Sequence, residues 1–362
     1  MAVGPDIENV RKGIMNMDEG VKVNFFRDLV EDMKDEDTSI MADGKGASEY
    51  GGTIDTGSYM LNAILSGSIY GGVPDNKVTA FAGETATGKT FFVLGVAKQF
   101  LQDNPTGGIV YYDTEAAVTK QMMEERGIDT SRIIISEPDT IQKFRTHALK
   151  TIDMYAQTSE ESRPPMLFIL DSLGLLSTEK ELADSTEGKD TRDMTKAQLI
   201  QGTFRVPTLK LAKIGVPMIV TNHVYEVIGS YVPTKEMGGG SGLKYSASTI
   251  VYLTKKKIRD AADKGNVTGN IIKAKMFKSR ISKENAQAEI LLSYSDGLDR
   301  YYGLLEFGEK HGIFKKVGNR YEMGEAKLYA KVILGDPTKY FTKEVLDQLD
   351  QAAQKEFSYG IM

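Results

Sequence analysis

The stretch GETATGKT, Gly83 to Thr90, constrains this chain more than any other. It follows the short apolar run KVTAFA and leads into FFVLGVAKQFL, whose apolar residues recur at helical spacing. A buried strand, a glycine-bearing turn and a helix N-terminus in that order make a phosphate cradle. Gly83 and Gly88 let the backbone of Gly83, Glu84, Thr85, Ala86, Thr87 and Gly88 curl with its N–H groups pointing inward. The helix start adds the positive end of its dipole. Lys89 is placed to reach the β and γ phosphates, and Thr90 offers a hydroxyl to Mg²⁺.

A second element strengthens this reading. MLFILDS is a continuous apolar run ending in Asp171, the pattern of a Walker B strand whose aspartate holds the Mg²⁺ shell. Many parallel strands end in Asp, so the run is informative only because it lies downstream of the phosphate loop. Together the two imply a nucleoside triphosphate with Mg²⁺. Glu115, in YYDTE, closes the strand between them. Strand C-termini line the ligand crevice of a parallel sheet, so Glu115 can face the γ phosphate as the group that orients or deprotonates water. The plain alternative is a solvated carboxylate at a strand end.

The rhythm of the chain gives the fold class. KVTAFAG, GGIVYYDTE, MLFILDS and VPMIVTNH read as strands. FFVLGVAKQFL, TIQKFRTHALKTIDMYAQ and MTKAQLIQGTFRVPTLKLAK read as the helices between them. Unbroken apolar strands alternating with helices indicate an α/β protein with a parallel sheet covered on both faces. After residue 248, STIVYLTKK, NIIKAKMFK and AEILLSY follow one another without helices, which predicts an antiparallel extension. A small α/β region begins near residue 298. Near the N-terminus, Phe25, Phe26, Leu29, Val30 and Met33 form one helical stripe, followed by a polar, glycine-bearing linker. That helix either packs on its own domain or docks elsewhere. The expected divisions are 1–50, 51–297 and 298–362.

Composition excludes several classes. There is no cysteine, so neither disulfides nor a thiolate zinc site can form. The three histidines, His147, His223 and His311, are widely spaced. No apolar run approaches the roughly twenty residues of a membrane span, and the N-terminus is polar with both charge signs, so we expect a cytoplasmic protein without a leader. The formal net charge of −5 argues against a generally basic coat protein. It leaves room for local DNA contacts, because Lys255 to Lys257, Lys273, Lys275, Lys278, Arg280 and Lys283 cluster in sequence.

Taken in order, TGS, GETATGKT, VYYDTE, FILDS, TNH, MGGGSGLKYSAS and KSR resemble the RecA recombinases. The glycine run with LKYSAS and the following KSR are most similar to the UvsX-type recombinases of tailed phages. The resemblance runs from about Thr56 to Gly303. It implies a RecA-like P-loop ATPase core that uses ATP and Mg²⁺, hydrolyses ATP in the presence of DNA, and forms helical filaments of its own copies. Such a filament pairs and exchanges single-stranded and double-stranded DNA in recombination, repair and recombination-dependent replication. Single-strand-binding and mediator proteins are the implied accessory partners, and the host cytoplasm is the place of action if a phage encodes the chain.

Residue by residue, the resemblance makes Glu115 the water-activating glutamate and Tyr294 an adenine-side tyrosine. Thr119 and Met122 stand at positions flanking the adenine, where bacterial RecA has Asp and Tyr. His223 stands where bacterial RecA has the glutamine that senses the γ phosphate; without the resemblance it reads as a satisfied core histidine. Two flexible segments match the DNA loops: about 179 to 195, with Arg192 and Met194, and about 224 to 238, with Tyr225, Ile228, Tyr231 and Lys235. From the residues alone each is a mobile surface loop. Lys278 and Arg280, joined by Lys244, would be supplied across a subunit interface to the neighbour's ATP, although FKSR alone reads as the cationic face of an exposed strand. The stripe around Phe25 and Leu29 would dock on the adjacent subunit. The competing readings are a ring-forming helicase of the same fold, a non-catalytic ATP-binding assembly protein and, less favoured for want of an arginine-rich lid, a small-molecule kinase.

Overall fold

The computed structural model describes residues 19–35, 37–44, 51–189, 193–226, 235–240, 242–259, 267–294, 297–323 and 326–360. The chain divides into two units, Met1–Glu49 and Tyr50–Met362. In the first, the helix Glu19–Met33 leaves Phe25, Phe26, Leu29 and Met33 exposed. The Arg27 side chain bonds Asp43 in the short turn Met41–Asp43.

The second unit is built on one large sheet. Its strands are β1 (Val78–Gly83), β2 (Gly108–Asp113), β3 (Ile133–Ser136), β4 (Met166–Asp171), β5 (Met218–Glu226), β6 (Lys235–Met237), β7 (Thr249–Arg259), β8 (Val267–Ser279), β9 (Gln287–Ser293) and β10 (Gly297–Leu298). Their order is β10-β9-β8-β7-β1-β5-β4-β2-β3, with β6 paired to β5. The strands from β7 to β3 run parallel, whereas β8, β9 and β10 are antiparallel additions. The fold is therefore the expected mixed α/β core with an antiparallel extension.

Side-chain alternation explains why the central strands are apolar throughout. Phe81, Tyr111 and Ile169 point into one apolar layer, with the helices Tyr59–Ser66 and Lys89–Asp103. Ala80, Ala82, Val110, Tyr112, Phe168 and Leu170 point into the other, with Ile141–Ala156 and Lys196–Lys213. With both faces covered, the inner strands alternate between two apolar layers, whereas Ile134 and Ile135 on the edge strand β3 are exposed. Phe168 is fully buried, so its truncation to Ala would cost about 3–5 kcal/mol. Beyond residue 298, Leu304, Phe307, Phe314, Phe341, Leu349 and Phe357 join the first layer. The C-terminal region thus shares the core's apolar cluster.

Several local elements differ from the sequence expectation. The segment 179–195, expected as a flexible loop, begins with the helix Glu179–Thr186. Thr178 caps it and the Glu181 carboxylate accepts from the Thr178 N–H, a reciprocal capping box. The segment 224–238 is likewise not one irregular loop. Val224 pairs with Met237, Tyr225 with Glu236 and Glu226 with Lys235, so β5 and β6 form a hairpin. The edge strand β3 and the helix Tyr59–Ser66 were not foreseen.

Candidate nucleotide site and adjoining loops

Sheet register brings the singled-out residues of the central strands to one edge. Gly83 at the end of β1 is level with His223 on β5 and with Leu253 on β7. Asp113 at the end of β2 is level with Asp171 at the end of β4. The phosphate loop, Asp171, His223 and the turn carrying Glu115 therefore share the carboxyl ends of neighbouring strands.

The loop is shaped for a close backbone approach. Gly88 takes φ +87°, and a Cβ there would come within 2.9 Å of Leu292 Cδ2. A Cβ on Gly83 would come within 2.5 Å of Thr87 Oγ1 and 2.9 Å of the Leu253 carbonyl. Lys89, only 6% exposed, donates to the carbonyls of Gly83 and Glu84, both at 3.0 Å. Burial lowers its pKa, with the nearby Glu115 and Asp171 charges opposing that shift. A buried ammonium bonded to carbonyls, beside inward-turned backbone, suits a polyphosphate that supplies the missing counter-charge.

Asp171 is 3% exposed. It accepts from Tyr111 Oη at 2.9 Å and from Thr221 Oγ1. Burial, reinforced by Asp171, raises the Tyr111 pKa, so the phenol stays a donor. Among the described residues no group of three or more His, Asp or Glu side chains forms a ready-made metal cage. One hydroxyl, Thr90, and one carboxylate, Asp171, fit Mg²⁺ better than a cage would, because Mg²⁺ takes the remainder of its shell from phosphate oxygens and water.

Glu115 is not a free strand-end carboxylate. Its N–H donates to Asp113 Oδ1 at 3.0 Å. Its Oε1 accepts from Ser172 Oγ at 2.8 Å and lies 3.2 Å from His223 Nε2. Nor is His223 enclosed in the core: it joins Glu115 at the strand edge, where β5 runs on into the β5–β6 hairpin. The arrangement can hold a carboxylate beside a phosphate site and link it mechanically to that hairpin.

Tyr294 is 58% exposed and its Oη accepts from Asn270 Nδ2 at 3.2 Å. It lines a cavity of about 450 Å³ with Phe91, Lys98, Arg126, Leu292 and Arg300 on its walls. The Arg126 guanidinium lies 4.7 Å from the Phe91 ring centre. Neither Thr119 nor Met122 lines this cavity. Thr119 caps the short helix Lys120–Glu124, and Met122 packs against the core.

Of the residues expected to meet DNA, Arg192, Ile228 and Tyr231 lie outside the described residues. Met194 is 88% exposed, and Tyr225 is exposed on β5. Lys235, at the start of β6, forms an ion pair with Glu84 of the phosphate loop. That pairing holds the Glu84 carboxyl below its usual pKa.

Lys278 and Arg280 fall elsewhere. Ser279 is opposite Thr249, which is level with Thr79 near the start of β1. At about 3.3 Å per residue, that level lies some 13 Å along the sheet from Gly83. Lys278 donates to the carbonyls of Lys244 at 2.6 Å and Ala247 at 2.8 Å, closing the helix Gly242–Ser246, and burial lowers its pKa. Arg280 is exposed and reaches the Tyr245 carbonyl only at 3.5 Å.

Comparison with known sequences then decides the family. The RecA N-terminal domain matches residues 29–299. The chain belongs to the RecA family. It is 30% identical over 285 residues to the recombination and repair protein of Enterobacteria phage T4, covering 79% of this chain and 68% of that one. It is 27% identical over 333 residues to protein RecA of Rhodococcus opacus, covering 89% and 88%. Protein RecA of Kineococcus radiotolerans is 28% identical over 318 residues, covering 85% and 84%. Like a RecA core, this one puts its phosphate loop at the carboxyl edge of a mostly parallel sheet.

Sequence reasoning missed several groups around the RecA-type site. Tyr111 and Thr221 hold Asp171, and Ser172 holds Glu115. Tyr111 and Thr221 looked like ordinary strand residues, and only register puts their hydroxyls beside a carboxylate. Arg126 and Phe91 wall the Tyr294 cavity. Lys255 donates to the loop carbonyls of Thr85 and Ala86. In sequence it was one of a lysine run with no sign of which would turn inward.

Proposed function

We propose that this protein is an ATP-dependent recombinase that acts in recombination and repair by forming filaments on DNA. The observation that carries the reading is the convergence at one sheet edge of buried Lys89, Asp171 and the Glu115–His223 pair, in a RecA-family chain. The loop from Gly83 to Thr90 binds the phosphates of ATP, with Lys89 as the countercharge. Thr90 and Asp171 would hold Mg²⁺, which neutralises phosphate charge. Glu115 orients and deprotonates the attacking water, a role worth about 10²–10⁴ in rate. His223 reports the γ phosphate through Glu115 to the β5–β6 hairpin. The Tyr294 cavity takes the base.

DNA contacts come from Arg192, Met194, Tyr225, Ile228, Tyr231 and Lys235. Apolar and aromatic side chains stack on or wedge between bases, while the cations meet phosphates. Lys235 must exchange Glu84 for a DNA phosphate, so its ion pair opposes DNA binding until nucleotide reorders the loop. Lys278 and Arg280 act on the ATP of a neighbouring copy. The stripe of Phe25 and Leu29 docks on that neighbour. In this reading 1–50 is a polymerisation arm, 51–297 the ATPase and DNA core, and 298–362 a small appended region. Single-strand-binding and mediator proteins are its accessory partners, and it works in the cytoplasm. No helix among the described residues is long and apolar enough to cross a membrane.

The test is phosphate release with and without single-stranded DNA, paired with electron microscopy of the DNA complex in a slowly hydrolysed ATP analogue. Stimulated release and helical filaments are expected. Equal rates, or rings in place of filaments, would overturn the reading.

A further inference from the structure

The crest of the phosphate loop is held from outside the loop. Lys255 lies on β7, two residues beyond Leu253, the residue level with Gly83. Its Nζ donates to the Ala86 carbonyl at 2.7 Å and reaches the Thr85 carbonyl at 3.3 Å. Both carbonyls therefore turn outward to one ammonium. In a trans peptide the N–H points the opposite way from the C=O within the peptide plane, so the N–H groups of Ala86 and Thr87 face away from Lys255, into the loop. The Thr87 N–H there meets the Glu84 carbonyl at 3.3 Å. Ala86 itself takes φ +58°. A side-chain-bearing residue keeps that left-handed conformation only where its surroundings over-determine it. Lys255 supplies such a constraint.

The charge of Lys255 is felt across the loop. It adds to the lowering of the Lys89 pKa, after the larger effect of burial, and it helps Lys235 hold the Glu84 carboxyl low. We propose that Lys255 is a positioning residue for nucleotide binding, presetting the loop crest around the β phosphate that nucleoside di- and triphosphates share. It acts through the loop and does not touch the reacting γ phosphate. The inference rests on the reading of Gly83–Thr90 as the nucleotide site.

The experiment measures the Kd of ADP and of a slowly hydrolysed ATP analogue for the full chain, its Lys255→Met and Lys255→Arg variants, and Lys89→Ala as a control. Losing two charge-assisted hydrogen bonds at the crest should weaken both nucleotides by the same factor in Lys255→Met, about tenfold or more. KM for ATP should rise while kcat at saturating ATP and DNA moves by less than about twofold. Lys255→Arg should recover most of the affinity, because a guanidinium can donate to the same two carbonyls. The nucleotide-free melting temperature should stay where it is. Unchanged affinities would overturn the proposal. A loss confined to the ATP analogue with a fall in kcat would also overturn it, since Lys255 would then touch the γ phosphate. So would an affinity loss matched by a lower nucleotide-free melting temperature, which marks a merely structural residue. Full nucleotide binding by Lys89→Ala would instead reject the site on which the proposal rests.

Discussion

At the carboxyl ends of the parallel strands, the charged groups find partners within their own chain: Glu115 with Ser172 and His223, Asp171 with Tyr111 and Thr221, Lys89 with the loop carbonyls. Toward the amino ends, Lys278 has only carbonyls, and Arg280 projects outward with a single long contact. Neither cation forms an ion pair among the described residues. In the proposed reading, the first edge gathers the groups that bind a triphosphate and activate water. The second has cations that strand register keeps from their own phosphate loop. If they serve ATP at all, a second copy must bring the ATP to them, and the contrast itself argues for assembly.

The largest expected effect tests the first edge. Glu115→Gln should keep ATP binding and lower DNA-stimulated turnover by about 10²–10⁴, read as phosphate release. Normal hydrolysis would mean that another group activates water and that the Glu115–His223 pair is structural. The second edge comes next. A cation against transferring phosphate stabilises charge that grows in the transition state, so Arg280→Ala should cost about 10²–10³ in DNA-stimulated turnover while ATP binding by the isolated chain survives. A variant with full turnover would return FKSR to an ordinary cationic strand face.

A smaller effect is expected where the first edge meets DNA. Met194→Ala together with Tyr231→Ala should weaken single-strand binding by about 1–3 kcal/mol per lost base stack, with nucleotide affinity measured without DNA barely moved. Unchanged DNA titrations would make both segments plain surface. The smallest effect belongs to the exposed Lys235–Glu84 pair. Glu84→Gln should free Lys235 and raise nucleotide-free DNA affinity by less than about tenfold. Because Lys235 holds the Glu84 pKa down, the pair is fully present above the ordinary carboxylate range of about 4 and is lost only as pH falls below it. The difference between Glu84→Gln and the parent should therefore be flat across neutral pH. A difference that changes between about pH 6 and 8 would point to another group.

Much of the site was legible because it is local. GETATGKT carries its turn and helix start within a few residues of the strand before it, and MLFILDS shows its double burial by being apolar at every position before Asp171. The end of the strand between them pointed to Glu115, and the family order of motifs to His223. What the sequence hid is non-local or reciprocal. That Lys235 faces Glu84 follows from the β5–β6 hairpin, and that Lys255 faces the loop crest follows from β7 lying beside β1. No window of sequence contains either fact. The helix Glu179–Thr186 is a different kind of miss. Thr178 and Glu181 spell a capping box, but the match of this segment to a flexible DNA loop masks it.

The central claim is that a working ATP site takes its water-activating group from one copy and its second-edge cation from the next. Mixing two variants tests this directly. Arg280→Ala and Glu115→Gln should each be nearly inactive alone. In a mixed filament, some interfaces join an intact Glu115 to an intact Arg280 from the neighbour, so phosphate release should reappear and peak at intermediate ratios. If Arg280 served its own chain's site, every site would carry one defect. A flat mixing curve, with co-assembly verified by fluorescence transfer between labelled variants, would contradict the account.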